Sequence, residues 1–94
     1  MIHAFVLIDA EPPRIAALAS ELADIDGVAE VYSVAGITDL VAVIRVRQYE
    51  QLAEVVTNRI SALPGIVDTR TLVAFQAFGR RDLEAIWDVG NTPD

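Results

Sequence analysis

Ninety-four residues allow one folded domain and leave no room for a second. Asp and Glu number 14 against seven Arg and no Lys, and the formal charge of −7 repels phosphate backbones, which argues against direct nucleic-acid binding. There is no cysteine and a single histidine, His3, so the chain offers no disulfide framework, no thiolate site and no multi-histidine metal cluster, and no cofactor is implied.

The N-terminal residues Met1 to Ala4 carry no basic leader, and the apolar stretch from Ala4 to Ile8 is too short to span a bilayer. A cytoplasmic protein without membrane contact is the expectation. Ile2 to Ile8 is a continuous apolar run and predicts a first strand. Glu11-Pro12-Pro13 then opens a helix, because proline is tolerated where the first-turn amides have no intrahelical acceptor. Ile15, Leu18, Ala19, Leu22 and Ile25 recur at helical spacing, and Asp26-Gly27 closes the helix with a residue free to take positive φ. Val28 to Ala35 supplies a second strand, and Gly36-Ile37-Thr38-Asp39 separates it from a third, Leu40 to Val46. A second helical stripe follows over Tyr49, Leu52, Val56, Ile60 and Leu63, stopped by Pro64-Gly65. Ile66 to Phe78 predicts a last strand, long enough to imply a bulge, a bend or an arm that leaves the sheet. The chain thus divides into a domain over residues 1–79 and a C-terminal tail over residues 80–94, with a short helix over Leu83, Ile86 and Trp87.

The two halves repeat one plan. Gly27 and Gly65 stand 38 positions apart, and at that offset Ile2, Ala4, Val6 and Ile8 fall on Leu40, Ala42, Ile44 and Val46. Two strand–helix–strand units with right-handed crossovers give an α+β, ferredoxin-like βαββαβ fold: a four-stranded antiparallel sheet with both helices on one face. The uncovered face also reads as apolar, with Phe5 and Leu7 on the first strand and Val41 and Val43 on the third. A second copy packed face to face is the simplest cover, so an obligate homodimer of the dimeric α+β barrel type is expected.

Three stretches carry a family resemblance: Ala4-Phe5-Val6-Leu7-Ile8, the loop Ser33 to Leu40 with its Gly-x-x-Asp core, and Leu63 to Leu72 with its Pro-Gly-x-x-x-Thr-x-Thr pattern. Together, over residues 2 to 78, the sequence resembles the effector domain of Lrp/AsnC transcription regulators, the domain termed RAM for regulation of amino acid metabolism. Family members usually add an N-terminal helix-turn-helix DNA reader, so this chain looks like the free-standing form of the effector domain. The resemblance implies a dimer that assembles further into octamer-like rings, an amino-acid effector held between dimers, and co-assembly with full-length Lrp/AsnC regulators whose activity it modulates. The implied ligand-binding residues are Gly36, Ile37, Thr38, Asp39, Thr69 and Thr71. Backbone amides of the loop and the threonine hydroxyls suit a carboxylate, and Asp39 suits an ammonium. Each has a plainer reading too: Gly36 to Asp39 as a hairpin turn, and Thr69 and Thr71 as strand formers. No catalytic residues are assigned. A small cofactor-independent enzyme and a purely structural oligomerisation module are the alternatives, the former with thin acid–base machinery, since His3 is the single histidine and no pair of carboxylates is placed by spacing as acid and base.

Overall fold

A computed structural model describes residues 1–79. Four strands, β1 (Ile2–Ala10), β2 (Val28–Ser33), β3 (Leu40–Val46) and β4 (Ile66–Val73), form one antiparallel sheet in the order β2-β3-β1-β4. This is the ferredoxin-like α+β plan expected from the repeat. β1 and β3 are its central pair, in register from Ile2 opposite Val46 to Ile8 opposite Leu40.

Helix α1 (Ile15–Ala23) is entered through a 3₁₀ turn at Pro12–Arg14, with the two prolines in the first turn. Leu18 and Leu22, one turn apart, are its fully buried residues. Helix α2 (Tyr49–Ala53) starts at extended Gln48, whose amide donates to the Gln51 side-chain carbonyl at 3.0 Å. It continues as a π-helix over Glu54–Ile60, which corrects the single α-periodic stripe expected there. The wider i→i+5 turn brings Val55 and Ile60, five apart, into the same core, while Tyr49 is left 66% exposed. Around them pack Ala4, Val6 and Ile8 of β1 and Leu40, Ala42 and Ile44 of β3, all without solvent exposure.

Strand β4 differs from expectation in two ways. It ends at Val73 opposite Ala4, not at Phe78, although the Ala74 amide still reaches the His3 carbonyl. Beyond it, Phe75 and Phe78 stand almost wholly in solvent. The register also slips between Asp9 and Ala10, which pair with Asp68 and Ile66 and leave Val67 as the extra residue of a bulge. Ile66 and Val73 therefore share the helix-side face, and Leu72 lies on the other, whereas strict alternation from Ile66 would place Val73 on the opposite face. Residues 80–94, with the tail helix expected there, lie outside the described residues.

The α2–β4 turn is locked by a close approach. Gly65 has φ +93°, and a Cβ placed on it would meet Arg14 Cγ at 2.6 Å. Arg14 is not free to move aside, since its guanidinium bonds the Pro64 carbonyl at 3.2 Å and both oxygens of Glu21 at 2.9 and 3.0 Å. Gly65→Ala is expected to cost about 2 kcal/mol or more, from backbone strain plus displacement of Arg14. Gly36→Ala, at φ +137° with open space around the site, carries the strain alone and should be milder. Urea-unfolding midpoints of the two variants check the order.

Candidate functional site

The loop between β2 and β3 is fastened to the end of β1 by long-range bonds. Val34 donates to the Asp39 carbonyl at 3.0 Å and closes the loop, while the Asp39 amide donates to the Ile8 carbonyl at 3.1 Å. The Thr38 hydroxyl, 7% exposed, donates to the same Ile8 oxygen at 2.9 Å, and Asp39 Oδ2 accepts from the Ala10 amide at 2.9 Å. Asp39 thus keeps one carboxylate oxygen without a described partner. Gly36 and Ile37 form the outward tip, Ile37 being 80% exposed, and their amides meet no acceptor among the described residues.

Thr69 and Thr71 lie on the other flank of β1, opposite Ile8 and Val6. They share one sheet face, that of the buried Val6 and Ile8, at the edge where the helical layer thins: Thr69 is half-buried and Thr71 exposed. Neither hydroxyl makes a side-chain hydrogen bond among the described residues. β3 and β4 flank β1 on opposite sides, so about 10 Å separates their backbones. All six candidate residues sit towards one end of the sheet, with Thr71 further in. Within one subunit the Asp39 carboxylate sits beside the Ala10 amide, and the threonines stand opposite Ile8 and Val6 on the other flank of β1.

The open sheet face carries Phe5, Leu7, Val41, Val43 and Leu72 at its centre. Charged groups mark its ends. At one, Asp9 and Asp68 pair across β1 and β4, with the Arg70 guanidinium 3.9 Å from Asp9. At the other is a cluster that the sequence reading missed. Tyr32 donates to Glu30 at 2.6 Å, and Arg45 reaches the same carboxylate at 3.2 Å. The Tyr32 hydrogen bond and the Arg45 charge hold the Glu30 carboxyl below its ordinary range; the same hydrogen bond and the Glu30 charge raise the Tyr32 phenol. The i, i+2 spacing of Glu30 and Tyr32 on a strand was the available signal; Arg45 required the β2–β3 register.

No group of three or more His, Cys, Asp or Glu among the described residues is placed to hold a metal ion, and no described helix is long and apolar enough to cross a membrane. The sequence model of the Lrp/AsnC ligand binding domain matches residues 3–83. The chain belongs to this family. No curated protein matches the sequence. Among solved structures, the protein TTHA0845 of Thermus thermophilus is 49% identical with a TM-score of 0.81, the match covering 85% of this chain and all of that one. A hypothetical protein of Pyrococcus horikoshii is 26% identical at a TM-score of 0.76, over 82% of this chain and 93% of that one. The feast or famine regulatory protein of M. tuberculosis, solved in complex with L-methionine, is 28% identical at a TM-score of 0.70. That match covers 84% of this chain and 53% of the regulator, so the Lrp/AsnC ligand-binding domain seen here spans about half the regulator's length.

Proposed function

We propose that this Lrp/AsnC domain is an amino-acid-sensing regulatory module whose effector site is completed between subunits. Homodimers form through the open sheet face and assemble further into octamer-like rings, and the module modulates full-length Lrp/AsnC regulators in the cytoplasm without touching DNA itself. The observation that carries the effector reading is the division of labour across β1. A loop held by Thr38 and Asp39 presents amides at Gly36 and Ile37 and one carboxylate oxygen of Asp39 that have no partner among the described residues, while the hydroxyls of Thr69 and Thr71, likewise without a described partner, lie on the far flank. A zwitterion needs donors and an acceptor together, because either charge buried unpaired is costly. The loop of one subunit set against β4 of another brings both sets within reach of one ligand. The methionine complex of the M. tuberculosis regulator makes L-methionine the first effector to try.

A thermal-shift panel of the proteinogenic amino acids tests this directly. A true effector raises the melting temperature progressively with concentration, by mass action on the native state. Thr71→Val, which alters an exposed edge hydroxyl, is expected to reduce that shift while leaving the ligand-free melting temperature nearly unchanged. A flat response to every amino acid sinks the sensor reading.

A further inference from the structure

Two large apolar side chains stand in solvent at the end of the sheet that bears the Gly-x-x-Asp loop. Ile37 is 80% exposed at the loop tip, and Val67, the extra residue of the β4 bulge, is 66% exposed. Neither belongs to the core, whose buried residues at this end are Ile8, Ala10 and Leu40. Both adjoin the end of β1, from opposite sides. Asp39, which follows the loop tip, accepts from the Ala10 amide, and Ile66, which precedes Val67, stands opposite Ala10. A bulge re-aims the side chain it adds. Val67 thereby falls outside the alternation that turns Asp68 and Arg70 to the open face and Thr69 to the helix side.

The charges at this end are mostly negative. Asp9, Asp39 and Asp68 lie here, and so does Glu11, whose amide donates to the Gly65 carbonyl. The cations set among them, Arg70 and Arg14, are turned to Asp9 and Glu21. A ligand that brings a further carboxylate besides its α-carboxylate is therefore repelled.

We propose that the effector is an amino acid with an uncharged aliphatic side chain, and that Ile37 and Val67 are the residues that select it. In the effector site proposed above, which this selection presupposes, the ammonium lies at Asp39 and the carboxylate at the loop amides. The α-carbon then stands beside Ile37, and the effector's side chain extends between Ile37 and the Val67 of the β4 set against the loop. Neither side chain carries a donor or an acceptor, so a polar effector side chain loses its water there without replacement. An aliphatic one gains with every methylene it buries, about fourfold in affinity each.

Calorimetric titrations with the unbranched series alanine, 2-aminobutyrate, norvaline and norleucine read this selection, with glutamate and lysine as charged side chains of similar length. Affinity should climb about fourfold per methylene, glutamate should fail to bind, and lysine should bind more weakly than norleucine. Ile37→Ser with Val67→Ser, both at exposed positions, should cut the climb to below about twofold per methylene. Alanine should bind that variant as before, and the ligand-free melting temperature should be nearly unchanged. Equal affinities along the series, glutamate or lysine bound more tightly than norleucine, or a double variant that keeps the full climb would each overturn the selection and leave the effector site standing. If no amino acid of the set binds the unaltered protein, the effector site itself fails and the selection falls with it.

Discussion

Phe5→Glu is expected to convert the proposed homodimer to monomers, weakening it at least about a thousandfold, or roughly 4 kcal/mol. Phe5 sits at the middle of the open face, in register with Val43 on one side and Leu72 on the other. In the single subunit it is 38% exposed, whereas its neighbours in sequence, Ala4 and Val6, are wholly buried on the helix side. A carboxylate at position 5 therefore stays hydrated in the monomer and leaves the helix-side core intact. In a face-to-face dimer the same carboxylate loses its water among Leu7, Val41 and Val43, and the neighbouring cations, Arg70 opposite Leu7 and Arg45 opposite His3, are already turned to Asp9 and Glu30. Light scattering after size exclusion reads the change as a fall to the mass of one chain, and the urea midpoint then ceases to depend on protein concentration. A variant of unchanged mass with a native spectrum places the interface elsewhere, and the proposed inter-subunit effector site goes with it.

The layout of this face was legible in the sequence wherever burial follows strand alternation. Ala4, Val6 and Ile8 against Phe5 and Leu7, and Leu40, Ala42 and Ile44 against Val41, are placed as the pattern implies, because both strands are central and paired along their whole length. Alternation failed on β4, for a physical reason. The apolar run continues to Phe78, yet a strand persists only where it has a partner, and beyond the Val73–Ala4 pair β1 offers only the His3 carbonyl to Ala74. The bulge at Val67 is equally hidden, since it adds a residue without leaving a compositional mark. In α2 the apolar residues Leu52, Val55, Val56 and Ile60 satisfy an α-periodic reading nearly as well as the π-helical one, and only the packed core decides between them. The candidate loop was found through its motif, but the use made of its side chains was not visible. Thr38 and Asp39 are spent on Ile8 and Ala10, 30 and 29 residues away, and contacts so distant in sequence follow from the fold alone.

The proposed second use of Asp39, as acceptor for an effector's ammonium, sets the most discriminating experiment on the site. Asp39→Ala removes the acceptor of the Ala10 amide, whose residue is only 6% exposed, and the orphaned donor should cost about 1–3 kcal/mol of stability. Any loss of effector binding in that variant is therefore ambiguous. Asp39→Asn separates the two roles, because the amide oxygen can still accept from Ala10 while the side chain no longer carries the charge that an ammonium requires. The expected result is a urea midpoint within about 0.5 kcal/mol of the unaltered protein, together with effector affinity lowered on the order of tenfold or more, in line with a lost charge-assisted hydrogen bond. An Asp39→Asn protein that keeps the full thermal shift would show that Asp39 only fastens the loop to β1, and the ammonium would then have to be held by another group, with Asp9 and Asp68 on the adjoining strands the next carboxylates to replace.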